Sequence, residues 1–264
     1  MAEISAAIVK ALREETGQGM MDCKKALQDT NGDVEAARDL LRKKGASMAE
    51  KKASRETKEG QVGIKTAADG KSAVMIEVQC ETDFCARNDV FKQMVSDVAA
   101  IAAKCGTGEV AEAPEMSQCI QGALAKIGEN MKYVRGVKIA ASRIGTYLHH
   151  NGKVGVILGV EGEISNETLA DLCMHIAFAD PMGISPADIP AAVVEKERKF
   201  ATEQAMESGK PADIAAKMVE GKMRKFLEGL ALVEQVFVRD DTKKVKDVLG
   251  KAKVTAFARY SVGG

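Results

Sequence analysis

Two turn sequences, Asp69-Gly70-Lys71 and Asn151-Gly152-Lys153, stand 82 residues apart, and each opens a run of alternating aliphatic residues; no other feature constrains the fold as much. In the first run Val74, Ile76 and Val78 alternate with Met75, Glu77 and Gln79, the period of two that marks a strand. At the same offset Val156, Leu158 and Val160 fill the second run, and each run leads into a helical pattern opened by an asparagine, Asn88 or Asn166. The glycines supply the positive φ of a hairpin turn. The pattern predicts two related subdomains, 61–141 and 142–264, each an antiparallel, hairpin-bearing sheet with helices packed on it.

The remaining segments follow a helical period. Ser5 is placed to cap a first helix with Ile8 and Leu12 on one face and Gly17 at its end, and a second follows through MMDCKKALQD. An Asn31-Gly32 turn lets Asp33 cap a third, whose Val34, Ala37, Leu40 and Leu41 share a face and which Gly45 is expected to stop. Residues 1–46 thus read as a three-helix unit, and 47–60 as a charged linker or exposed helix. Beyond Asn88 an apolar stripe through Phe91, Met94, Val95, Val98, Ile101 and Ala102 predicts a helix ended by Gly106, and 117–128 another. Pro181, Pro186 and Pro190 precede helical segments at 190–207 and 211–228. Their short SGKP joint predicts an antiparallel helical-hairpin arm at about 190–228, with Val194, Ile214, Met218 and Leu227 as its seam. A turn through Val245, Val248 and Leu249 leads to a last strand, VTAFARYSV. The class is α+β.

Six scattered cysteines without a CxxC pair favour reduced, mostly buried thiols and hence a cytoplasmic setting. The chain has no apolar run of membrane-spanning length and no signal-like N-terminus. Lys plus Arg and Asp plus Glu number 38 each, so the formal net charge is zero, and aromatics make up 4%. That balance lacks the basic footprint and stacking platforms of a nucleic-acid binder and points to protein partners.

Enzyme signatures fail on inspection. DGKS at 69–72 ends like a phosphate-binding loop, but Lys65 stands where that motif needs glycine. GTGEVA at 106–111 follows a helix and has Ala111 in place of the third glycine of a dinucleotide fingerprint. Three histidines, without HExxH or GxSxG, leave little for a metal or nucleophilic centre. His149 and His150 read either as a solvated hairpin end or as a partner contact, and His175 as a partly buried, hydrogen-bonded side chain. Met20 and Met21 suit either core filling or an adaptable binding surface. For Asp83 and Phe84 two readings stand: a cap and a plug at the strand–helix junction, or a rigid aromatic wedge for a partner's pocket.

Residues 12–27, LREETGQGMMDCKKAL, and 77–89, EVQCETDFCARND, resemble the two signature segments of the bacterial translation elongation factor Ts family. TYLHHNGKVGVILGVEG, HIAFADPMGISPADIP, SGKPADIAAKMVEGKMRKF and EQVFVRDDTKKVKDVL follow in the family's order, so the resemblance covers nearly the whole chain. It implies a ubiquitin-associated-like N-terminal domain, a core of two related subdomains and an inserted helical hairpin. It also implies a guanine nucleotide exchange factor without catalytic chemistry, cofactor or metal of its own, whose partner is elongation factor Tu. Neither nucleic acid nor membrane is contacted directly, and a homodimer of the binary complex is admitted. The partner-binding residues implied are Met20, Met21, Thr82, Asp83, Phe84 and His149. Asp83 and Phe84 match the pair that enters the partner's nucleotide-binding domain near its magnesium site, promoting release of GDP and Mg2+. Cys85 stands where valine is usual and Gln79 where asparagine or valine is common. Several members continue past the ARYSVGG end into a segment that adds contact, so a weaker grip, or a tail that is not needed, is expected. The rival classes are an adaptor that binds without exchange and an enzyme acting on a small molecule.

Overall fold

Helices α1 (Ala6–Thr16), α2 (Met20–Asp29) and α3 (Val34–Lys52) open the chain in a computed structural model that describes residues 4–207 and 211–263. Ser5 accepts from the Ile8 amide to cap α1, and Gly17 ends it at φ 66, its amide donating to the Arg13 carbonyl. Asn31 and Gly32, both at positive φ, turn the chain so that Asp33 accepts from the Ala36 amide and starts α3. Val9, Leu12, Cys23, Ala26, Leu27, Ala37 and Leu41 form the core between the three.

Two sequence expectations are corrected here. Val9, not Ile8, joins Leu12 in the core, and Ile8 is exposed. Gly45 does not stop α3; it lies buried inside the helix, where a Cβ would stand 3.7 Å from that of Ala125. That is ordinary van der Waals contact, so the site does not require glycine, and α3 runs on to Lys52 through part of the presumed linker.

The next unit comprises β1 (Glu59–Thr66), β2 (Ser72–Cys80), α4 (Asp83–Arg87), α5 (Asp89–Ala102), β3 (Gly108–Glu109), α6 (Pro114–Ile127) and β4 (Met131–Ala140). Its sheet is antiparallel, in the order β1-β2-β4-β3. Strand β4 has no counterpart in the sequence reading, because Lys132, Arg135 and Lys138 dilute its apolar alternation. Val74, Ile76 and Val78 pack in the core with α5 and α6, but Met75 and Glu77 on the other face of β2 are buried too. β2 is therefore a central strand covered on both sides.

The last unit comprises β5 (Arg143–Leu148), β6 (Val154–Glu161), α7 (Asn166–Ala179), α8 (Ala191–Glu207), α9 (Ala212–Leu230), β7 (Val236–Phe237), β8 (Asp240–Lys244), α10 (Val245–Leu249) and β9 (Lys253–Ser261). Its main sheet is ordered β5-β6-β9, beside a β7-β8 pair. Val156, Leu158 and Val160 pack in one core with residues of α7 and α10. Ser165, not Asn166, caps α7, its Oγ accepting from the Thr168 amide at 3.0 Å. In the arm, α8 and α9 close on Ala201, Ala205, Val219 and Met223, flanked by Val194. The small alanines set this seam; Ile214 is exposed instead, and Met218 and Leu227 are half-buried. The arm's joint at 208–210 lies outside the described residues.

The offset seen in the sequence recurs in three dimensions. The ladder irregularity between Glu77 and Val78 returns between Gly159 and Val160, and Gly63 opposite Ile76 becomes Gly145 opposite Leu158. Each of these glycines admits a helix: a Cβ would stand 2.8 Å from Val95 Cγ1 at Gly63 and 2.7 Å from Cys173 Sγ at Gly145. The two sheets then pack face to face through Val62, Ala73, Met75, Ile139 and Ile157, with Ala256 and Ala258 alongside. The result is four layers, helix–sheet–sheet–helix. At this contact Glu77, 1% exposed, accepts from Arg135 Nε at 2.8 Å, and that guanidinium lies 4.3 Å from the ring centroid of Tyr260 on β9.

Gly145→Ala is expected to lower the unfolding free energy by about 1–3 kcal/mol through overpacking against α7. Gly221→Ala, in α9 with nothing within 4 Å of the added Cβ, should raise it by about 0.5–1 kcal/mol. Urea unfolding of the two variants checks both.

Candidate partner-binding surface

At the end of β2 the backbone of Thr82 is extended, at φ −128 and ψ 157, and its hydroxyl accepts from the Cys85 amide at 3.1 Å. Thr82 is therefore the cap of the one-turn helix α4. Asp83 occupies the first helical position, where the helix dipole favours a carboxylate, and pairs with Arg87 at 2.9 Å. Asn88 ends α4 and opens α5, accepting from the Val90 amide at 2.8 Å. Cys85 and Ala86 point into the core, and Cys80 beside the Cys85 thiol, together with burial, pushes its pKa up. Successive helical residues diverge by about 100°, so burying this small pair turns Phe84 outward, and it is 80% exposed. The cap-and-plug reading is thus corrected on both counts: Thr82 caps, and the junction is filled by Cys85 and Ala86.

The turn is held from outside as well. Glu129 accepts from the Thr82 amide and hydroxyl at 3.0 and 2.8 Å, and Glu81 accepts from the Asn130 amide at 2.6 Å. The buried Asn130 side chain donates to the Arg55 carbonyl at 2.9 Å, and Lys52 of α3 reaches the Gly128 carbonyl. On the other side Gln61 of β1 donates to the Ala86 carbonyl at 2.7 Å.

Gln61 also meets the second hairpin. A Cβ at Gly152 would lie 3.0 Å from Gln61 Cδ, the Val62 amide donates to the Gly152 carbonyl at 2.8 Å, and Lys153 pairs with Glu59 at 2.6 Å. His149, half-buried, lies on that hairpin with Nδ1 2.7 Å from the Tyr147 hydroxyl, its ring 4.3 Å from that of the exposed His150. The structure thus ties α4 and the His149 turn to one side chain. Met20 and Met21 lie on a different element, at the start of α2, 49% and 73% exposed while Cys23, Ala26 and Leu27 fill the core. Core filling is the role of the latter three, not of the methionine pair.

Sequence reasoning passed over Glu129, Asn130 and Gln61, whose roles depend on contacts across elements; the only local signal was the polar Glu129-Asn130 pair after the helix-ending Gly128. It also passed over an exposed apolar cleft lined by Phe178, Val236 and Val238 beside His175. All six cysteines are free. Among the described residues no three His, Cys, Asp or Glu side chains are grouped to hold a metal ion, and no helix is long and apolar enough to cross a membrane. DGKS lies at the β1–β2 turn.

Exposed apolar side chains on a rigid scaffold are a common feature of protein-docking surfaces. A sequence model described as Elongation factor TS matches residues 81–264. The Elongation factor Ts of Hydrogenovibrio crunogenus is 43% identical over 272 residues, covering 98% of this chain and 92% of its own. That of Paramagnetospirillum magneticum is 44% identical over 292 residues, with 100% and 92% covered, and that of Photorhabdus laumondii 43% over 267, with 100% and 93%. The chain belongs to the elongation factor Ts family.

His175 is buried in the same unit, as a hydrogen-bonded side chain. The Val238 amide donates to its Nδ1 at 3.3 Å, which leaves Nε2 to donate to Gln235 Oε1 at 2.9 Å. Burial holds its pKa below the ordinary value of 6.5. The unfolded chain therefore takes up this proton at a higher pH than the folded protein, and the stability His175 contributes is lost as pH falls below 6.5. Urea unfolding between about pH 7.5 and 5.5 should show stability falling with acidification, with a shallower slope in His175→Gln.

Proposed function

We propose that this chain is a guanine nucleotide exchange factor of translation elongation. It binds elongation factor Tu and promotes release of GDP and Mg2+ by inserting Phe84, with Asp83 beside it, near the partner's nucleotide site. The observation that supports this best is Phe84, 80% exposed on a turn whose neighbours are all tied down. Such a factor needs no catalytic acid, base or cofactor. It binds the nucleotide-free partner better than the nucleotide-bound one, and by reciprocity whatever weakens GDP is matched by GDP weakening the factor. Each tenfold change in nucleotide affinity corresponds to about 1.4 kcal/mol of coupling, and burying one phenylalanine is worth about 1.5–3 kcal/mol. Phe84 alone can therefore supply one to two factors of ten.

The other contacts follow from their chemistry. Asp83 is a carboxylate at the tip, beside Phe84, where it competes for groups around a magnesium ion. Met20 and Met21 offer unbranched, adaptable side chains to the partner's nucleotide-binding domain, and Tyr147 orients His149 for a further contact. A protein partner in the cytoplasm agrees with the zero formal net charge.

Stopped-flow release of a fluorescent GDP analogue from elongation factor Tu tests the reading. The parent accelerates release, and Phe84→Ala should reduce the acceleration about 10- to 100-fold with its unfolding midpoint retained. Met21→Ala should chiefly raise the half-saturating concentration. Parental exchange by a folded Phe84→Ala protein sinks the wedge, and binding by the parent without acceleration makes the chain an adaptor.

A further inference from the structure

We infer that Glu129 is the positioning residue of the wedge, setting the direction of Phe84 through the hydroxyl of Thr82; this rests on the exchange reading above. Helix α4 has five residues, too short to hold itself in water, so its orientation is set by its ends. A threonine hydroxyl has one proton and two lone pairs. Glu129 Oε1 takes that proton at 2.8 Å, which fixes the hydroxyl rotor and leaves a lone pair for the Cys85 amide at 3.1 Å. Glu129 Oε2 takes the Thr82 amide at 3.0 Å, so one carboxylate grips both donors of the cap residue. These charge-assisted bonds are stronger than neutral ones.

Glu129 is itself anchored. Its neighbour Asn130 is buried, donating from its backbone to Glu81 and from its side chain to the Arg55 carbonyl, and Met131 pairs with Cys80 across β4 and β2. Two carboxylates thus cross between the ends of these strands in opposite senses, Glu81 reaching residue 130 and Glu129 reaching residue 82. Phe84 stands two residues beyond this clamp. Loosening it frees the aromatic to swing without emptying the core, since Cys85 and Ala86 remain buried.

A double-mutant cycle separates positioning from a general structural role. Stimulated GDP release from elongation factor Tu is measured for the parent, E129Q, Phe84→Ala and the double variant, alongside unfolding midpoints. Glutamine keeps the shape but offers one acceptor oxygen, so one Thr82 donor faces an amide NH2. E129Q should slow release about tenfold in the parent and not at all in the Phe84→Ala background, with a near-parental midpoint. Thr82→Val, which keeps the shape of Thr82 but loses the hydroxyl that Glu129 holds, should slow release as E129Q does. Equal fold losses in both backgrounds overturn the inference, because Glu129 then supports the surface at large. Parental exchange by E129Q beside an impaired Phe84→Ala overturns the clamp and leaves the wedge. A fully active Phe84→Ala overturns the wedge and the clamp with it, whereas a parent that binds without stimulating release overturns the exchange reading.

Discussion

Neither sheet can keep its central strand dry alone. β2 and β6 carry buried side chains on both faces, and helices cover only one face of each. The other is buried by the opposite sheet, through Met75 and Ile157 among others. Each repeat is thus half of a core, and the hydrophobic gain of closing the pair holds the architecture together. An apolar contact of this kind is tolerant of sliding. Arg135 limits that sliding, because its guanidinium, paired with Glu77 in its own sheet, crosses to the Tyr260 ring and the Ser261 carbonyl of β9.

The candidate surface lies where β2 leaves this sandwich. The backbone there has several independent tethers: Glu129 on Thr82, the core on Cys85 and Ala86, and Gln61 on the Ala86 carbonyl. Folding gains little from Phe84, which is 80% exposed, so in the proposed reading the tethers act on a residue whose value lies in a partner. Because Gln61 also packs beneath the turn at Gly152, wedge and second hairpin are referenced to the same strand. In the proposed reading, a partner that touches both meets them at a fixed spacing.

Much of this was legible in the residues. The repeated turns and the Val74/Val156 series gave the duplicated sheets, and Asp33, Asn88 and Gly17 marked helix ends by ordinary capping chemistry. What escaped did so for physical reasons. Glycine is a common helix stop but not an obligatory one, and Gly45 lies inside α3, where an added Cβ would make ordinary contact with Ala125. β4 is a charged strand whose apolar residues are spaced by a register shift. Phe84 was ambiguous because it stands between the polar run Glu81-Thr82-Asp83 and the small apolar pair Cys85-Ala86; only the burial of Cys85 and Ala86 decides which way a one-turn helix faces. Glu129, 47 residues from Thr82, could not be paired with it by any local pattern.

The length of α3 carries a further consequence. As one rod of 19 residues, about 28 Å long at 1.5 Å per residue, it packs against α2 near its start and ends where Lys52 holds the Gly128 carbonyl beside the clamp. In the proposed reading, the methionine pair and the aromatic therefore act as a bivalent ligand on a stiff spacer. Once one end has docked, the other is already at its address, and its search entropy was spent when the protein folded.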